Sequence, residues 1–143
     1  MIEINYLAVL GCGIAAMVLG GVWYGPLFGK AWSKEMGWEN LTAEQTAAMK
    51  KKAASAYPQQ FVGALLMAFV LAHTTFAFIK AMGEEPSISL GLQGAFWNWL
   101  GFMVPVLYGE KLWGGKSMKL FIINAVYQLV NIGVMAVILI SWR

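Results

Sequence analysis

Charge is what this sequence has least of. Asp, Glu, Lys and Arg make up only 12% of its 143 residues, about half the share of an ordinary soluble domain, while 59% are apolar. The single cysteine, Cys12, excludes an internal disulfide, and the single histidine, His73, excludes a conventional zinc set. No metal and no cofactor is therefore expected. No basic groove interleaved with aromatics is available for nucleic acid either.

What is present is long apolar runs. Four cover about residues 5–24, 59–79, 89–108 and 118–142, each near the ~20 residues that cross a hydrocarbon core. Charged residues fall between the runs, save Lys119 at the edge of the last. Runs this long are not buried strands, and barrel strands would alternate apolar and polar residues. The expectation is an all-α integral membrane four-helix bundle of two helical hairpins, a single domain over residues 1–143. Val9 to Cys12 loosely matches a lipoprotein cleavage box, but Glu3 stands where a signal peptide carries a base and the apolar run continues past Cys12, so this segment is expected to stay as a helix.

Basic residues give the orientation. Lys30, Lys34, Lys50, Lys51, Lys52, Lys111, Lys116 and Lys119 share one face, against Lys80 and Arg143 on the other. Basic loops stay cytoplasmic, so both chain ends are expected outside the cytoplasm. Trp23, Tyr24, Trp32, Trp38, Tyr57, Tyr108, Trp113 and Trp142 lie at run ends and read as an interfacial aromatic belt. Between Trp38 and Tyr57, Thr42 with Gln45 forms a capping box opening an alanine-rich stretch, which predicts a short cytoplasmic interfacial helix ending in a kink at Pro58.

Val22 to Lys30 (VWYGPLFGK) and Val106 to Lys116 (VLYGEKLWGGK) share a Tyr-Gly pair followed by glycine and lysine. Each glycine is expected to stop its helix in the left-handed cap conformation, and the match allows either an internal duplication or convergence on one kind of helix end. The segment Trp23-Tyr24-Gly25-Pro26-Leu27-Phe28-Gly29-Lys30-Ala31-Trp32, directly after a first apolar helix, together with Trp97, Trp99, Gly101 and Phe102, resembles the domain of unknown function 1761 family of small bacterial membrane proteins. The resemblance implies a four-helix integral membrane protein of a bacterial cytoplasmic (inner) membrane. The family has no assigned reaction, so no catalytic residue follows from it.

Within the runs, Ala8, Cys12, Ala16 and Gly20 recur every four residues, as do Ala64, Ala68 and Ala72. Such small-residue stripes let helix backbones approach where lipid offers no hydrophobic drive. Cys12 is thus a packing residue. The glycine pattern at Gly11 to Ala16 is no dinucleotide site, because it lies inside a lipid-length helix rather than between a strand and a helix.

Polar side chains inside the runs are the candidate site. In Asn124-Ala125-Val126-Tyr127-Gln128-Leu129-Val130-Asn131, the three amides are spaced four and three apart and share a helix face. An unpaired amide facing lipid costs on the order of 2–7 kcal/mol, so Asn124, Gln128 and Asn131 must face protein. Counting along the helices puts Asn98 at the depth of Gln128, with His73 and Gln93 at a more external level. Two readings remain: interhelical hydrogen bonds that only fix helix pairing, or a polar pocket built from Gln93, Asn98, Asn124, Gln128, Asn131 and His73. The second predicts a homo-oligomer that binds or passes a small polar molecule, because four helices alone rarely enclose an aqueous path. The first leaves a structural or lipid-interacting scaffold. An intramembrane enzyme is not expected, since Ser117 and Ser141 have no positioned base nearby in sequence.

Overall fold

The computed structural model describes residues 3–143, and every regular element among them is helical. In chain order these are α1 (Tyr6–Val22), a π-helical turn (Trp23–Leu27), α2 (Gly29–Glu35), α3 (Ala43–Met82), α4 (Ile88–Asn98), a second π-helical turn (Trp99–Met103), α5 (Val104–Trp113) and α6 (Met118–Ser141). Three helices are long and apolar enough to cross a membrane: Tyr6–Leu27, Ala43–Met82 and Met118–Ser141. The run expected near 89–108 is helical from Ile88 to Trp113, but as two α pieces of 11 and 10 residues on either side of a π turn.

Helix ends follow their caps. Asn5 accepts from the backbone N–H of Leu7 (2.9 Å) and Ala8 (3.2 Å), and its own amide donates to Trp142 O (3.1 Å), tying the start of α1 to the end of α6. Thr42 and Gln45 form the reciprocal capping box that opens α3. The expected short interfacial helix is not a separate element. Its residues are the first turns of α3, which runs through Pro58 as one helix of 40 residues, about 60 Å long. The turn around Pro58 is exposed, so water can reach the carbonyl that proline leaves unbonded, and Gln59 Nε2 adds a bond to Ser55 O (2.9 Å).

The expected stops at Tyr24-Gly25 and Tyr108-Gly109 are likewise corrected. Helical structure continues through both pairs, and the left-handed glycines are Gly37, Gly83 and Gly115. Pro26 is accommodated by widening the turn: Phe28 N–H donates to Trp23 O at 2.8 Å, five residues back, in a π-helical turn containing a residue that has no N–H to give. The stretches that correspond structurally are Trp23–Leu27 (WYGPL) and Trp99–Met103 (WLGFM), each opening on tryptophan with glycine two residues on.

Every other helix packs on α6, and α1 and α4 also pack on α3. Small residues allow this. Ala8, Cys12 and Ala16 of α1 meet Ala64, Ala68 and Ala72 of α3, and Ile132, Met135, Ala136 and Leu139 of α6 complete the same core. A methyl carbon placed on Gly13 would lie 2.7 Å from Leu65 Cδ2 and 3.0 Å from Phe61 Cε2, so the α3 side chains pack directly onto the α1 backbone and would have to shift to admit a larger residue there.

Candidate functional site

Where α1 ends, its aromatic side chains turn inward rather than toward headgroups. Trp23 is 8% exposed and donates through Nε1 to Ile123 O (3.3 Å). Its ring lies 4.7 Å from Phe28 and 6.0 Å from Tyr127. Tyr24 donates its hydroxyl to Asn124 Oδ1 (3.0 Å) and packs against Tyr127 (4.9 Å) and Trp32 (5.1 Å). Trp32 in turn meets Trp38 edge-on. The belt reading therefore suits Trp113 and Tyr57, 92% and 62% exposed, but not Trp23, Tyr24 or Trp32. Trp23, Tyr24 and Trp32 each carry an N–H or O–H that would be costly to leave unpaired away from water, and α6 supplies acceptors for Trp23 and Tyr24.

The π turn aims Trp23 and Tyr24 at α6 and leads through Phe28 into α2. Ser117, the N-cap of α6, donates its hydroxyl to the Glu35 carboxylate at the end of α2, and Lys119 lies 3.9 Å from the same carboxylate. A negative charge beside the start of α6 is favourable because the first N–H groups there point outward. Gly20 completes the arrangement: Tyr127 Oη would be 3.2 Å from a methyl carbon at that position, and the hydroxyl donates to Ala16 O (3.4 Å).

Two cavities flank this aromatic cluster. One, about 490 Å³, lies between α1, α3 and α6, with Tyr24, Gln60, Tyr127, Gln128 and Asn131 as its main polar walls and Ala16, Met17, Ala64 and Met67 as apolar ones. None of its lining residues is Asp, Glu, Lys, Arg or His. The other, about 350 Å³, lies between α2, α5 and α6 and does carry charge, from Glu110, Lys111 and Lys116, beside Asn124. Tyr24, Trp32 and Gln128 line both and form the partition between them. Gln128 Oε1 is buried in this partition with no hydrogen-bond partner. Asn131 is 4% exposed, and its amide has only a 3.7 Å contact to Met67 Sδ.

The uncharged cavity is blind. A third cavity of about 440 Å³ lies at the opposite end of the molecule, among Glu3, Asn5, Lys80 and Arg143. Between the two stand Cys12, Ala68, Ala72, Met135 and Ala136, each at 0% exposure. Cys12 Sγ lies 3.5 Å from Met135 O inside this layer.

Of the six residues expected from sequence, the structure brings together three. Asn124, Gln128 and Asn131 line the two cavities. Asn98, Gln93 and His73 line none of the cavities described and turn onto their own helices. Asn98 Nδ2 donates to Gly94 O (2.8 Å), Gln93 Nε2 to Ser89 Oγ (3.4 Å), and His73 Nδ1 lies 2.9 Å from Phe69 O, a bond that needs the proton on Nδ1. Asn98 and Gln128, expected at one depth, share no hydrogen bond; a bond from this region to α6 is instead made by Trp99, whose Nε1 donates to Ala125 O (2.8 Å). Sequence reasoning missed Tyr24, Trp32, Gln60 and Tyr127. For Tyr127 a signal existed, since it sits three residues after Asn124 and four before Asn131 on the same helix face.

No curated protein and no solved structure matches the chain. A family model described as "Protein of unknown function (DUF1761)" matches residues 7–140, nearly the whole length, and by that match the chain belongs to the DUF1761 family.

Proposed function

We propose that this chain is a four-span membrane protein that binds a small molecule in the uncharged cavity between α1, α3 and α6. The fourth span is Ile88 to Trp113, crossing as α4, π turn and α5. Both chain ends lie on the non-cytoplasmic side of a bacterial inner membrane, which puts Tyr24, Gln60 and Gln128 in the cytoplasmic half. Eight basic residues against two support that orientation. The observation that carries the binding reading is Gln128, a residue lining a cavity of about 490 Å³ whose buried Oε1 has no hydrogen-bond partner within the chain. A buried polar atom left without a partner costs about 1–3 kcal/mol, and a cavity of this size falls within the ~300–1,000 Å³ typical of ligand sites.

Binding is favoured over passage by the packed layer around Cys12, which closes the cavity toward the opposite end. A conduit would require the homo-oligomer expected from the sequence, whereas a blind site needs one chain. Gly21 provides the test. It lines the cavity, and a methyl carbon placed on it meets nothing within 4 Å, so Gly21→Met can be introduced at the mouth without a Cβ clash, adds a bulky side chain there, and replaces a poor helix former by a good one. Native mass spectrometry of the protein released from membrane nanodiscs should find a bound small molecule on the wild type and at least ~10-fold lower occupancy on Gly21→Met, about 1.4 kcal/mol of lost affinity, with thermal stability equal or higher. A wild type carrying no bound species would leave only the scaffold reading.

A further inference from the structure

We infer that the ligand is an uncharged, hydroxyl-headed lipid that enters sideways from the bilayer between α1 and α3. This rests on the binding reading above and specifies its ligand. The absence of ionisable acids and bases other than phenols around the cavity is the first argument: a phosphate or ammonium head placed there would be buried with no counter-charge. Lysines are available nearby, but Lys111 and Lys116 lie in the other cavity, behind the Tyr24 and Trp32 rings.

The second argument is the chemistry of Gln128. Its Oε1 lacks a donor. The two ends of an amide can exchange places by a 180° flip, and a hydroxyl serves either orientation because it both donates and accepts. A phosphodiester or a simple ester has no hydrogen to donate. Asn131, held only by a thioether contact, stands one turn of α6 further in and can donate to an ester carbonyl.

The third is the shape of the opening. Gly21 on α1, Gly25 in the π turn that follows it, and Tyr57 and Gln60 on α3 are exposed at the mouth, on the outer surface of two helical segments long enough to span the bilayer. The missing side chains at the two glycines leave a lateral gap at the level of the belt residue Tyr57, where water and headgroups meet the acyl chains. Met17 and Met67 line the way in, and unbranched thioether side chains adapt to a flexible chain. At ~30 Å³ per water-sized group, 490 Å³ takes a glycerol head with its ester groups and the first methylenes. The remainder of the tails must stay in the membrane, which a lateral mouth allows.

The test uses wild-type protein in phosphatidylcholine nanodiscs with two photoreactive probes that share the same diazirine-bearing acyl chains: a 1,2-diacylglycerol and the corresponding phosphatidic acid. The diacylglycerol should crosslink to peptides containing Met17 or Met67 about 10-fold more than phosphatidic acid, and unlabelled dioleoylglycerol should compete. Gly21→Met should lose at least ~10-fold of that labelling. Gln128→Leu should lose about fivefold, the scale of one hydrogen bond inside a membrane, and Gln93→Leu, at a residue that lines none of the cavities, should keep both the labelling and the preference for the neutral head. Equal labelling by both probes, or stronger labelling by phosphatidic acid near Lys111 and Lys116, would overturn the neutral-head assignment while leaving a binding site. A bound species in native mass spectra with no crosslink from either probe would overturn the lipid assignment. No bound species and no crosslink would overturn the binding reading as well.

Discussion

Replacing Trp23 by alanine should destabilise the fold by about 3 kcal/mol, the lower end of the range for a buried tryptophan, because lipid offers little of the hydrophobic drive available in water. Three contributions disappear together. The ring fills space between Phe28 and Tyr127, its N–H satisfies a second bond to Ile123 O, and its position at the start of the π turn aims Tyr24 at Asn124. Trp23→Phe separates them. It keeps most of the volume and loses the donor, so it should cost only about 1 kcal/mol. Unfolding in mixed micelles, followed for wild type and both variants, reads the difference. Equal costs for the two variants would mean that the hydrogen bond, not the ring, holds α1 to α6.

Gly91→Leu should be nearly as damaging, and Gly101→Leu nearly silent. A methyl carbon on Gly91 would lie 2.7 Å from Ile140 Cγ1 and 3.4 Å from Cδ1, and leucine adds three more carbons to that conflict. Overpacking of this kind costs about 1–3 kcal/mol or more, expressed here as separation of α4 from α6. Gly101 sits in the second π turn with nothing within 4 Å, and an open surface substitution stays within about 0.5 kcal/mol. Shortening Ile140 to alanine in the Gly91→Leu background should recover part of the loss, since the clash is with that side chain. The same unfolding assay checks all three. A Gly101→Leu protein as unstable as Gly91→Leu would mean that the exposed face of the second π turn is covered in the membrane.

Helix content and the small-residue packing were legible in the sequence because both are periodic. Ala8, Cys12 and Ala16 repeat every four residues, and the structure buries all of them against Ala64, Ala68 and Ala72. The inward direction of Asn124, Gln128 and Asn131 was legible from the cost of facing lipid with an amide. Their partners were not. Asn98, Gln93 and His73 had a cheaper option that spacing along a chain cannot reveal, a hydrogen bond to an acceptor one turn back on the same helix. Tyr24 and Trp23 were hidden for another reason. At a run end, an aromatic with a polar tip suits the headgroup layer and an internal acceptor equally well, and the π turn that decides between them is set by a proline whose local sequence reads as a helix stop. Gly25 and Gly109 show the same limit: glycine permits a left-handed cap but does not compel one, and the caps that formed are at Gly37, Gly83 and Gly115.

In the proposed reading the cavity beside Gln128 ends at a dry layer, so that a molecule entering it is held rather than passed. The native Cys12 thiol lies in that layer at 0% exposure and is the only cysteine in the chain. Treated with a water-soluble methanethiosulfonate, the folded protein should leave Cys12 unmodified until denaturant is added, while Gly21→Cys in a Cys12→Ala background reacts from the cavity mouth at least ~100-fold faster, the factor for a local opening of about 3 kcal/mol. Modification of Cys12 in the folded protein at a rate close to that of Gly21→Cys would contradict the account, because water and reagent would then cross the layer that is held to close the site.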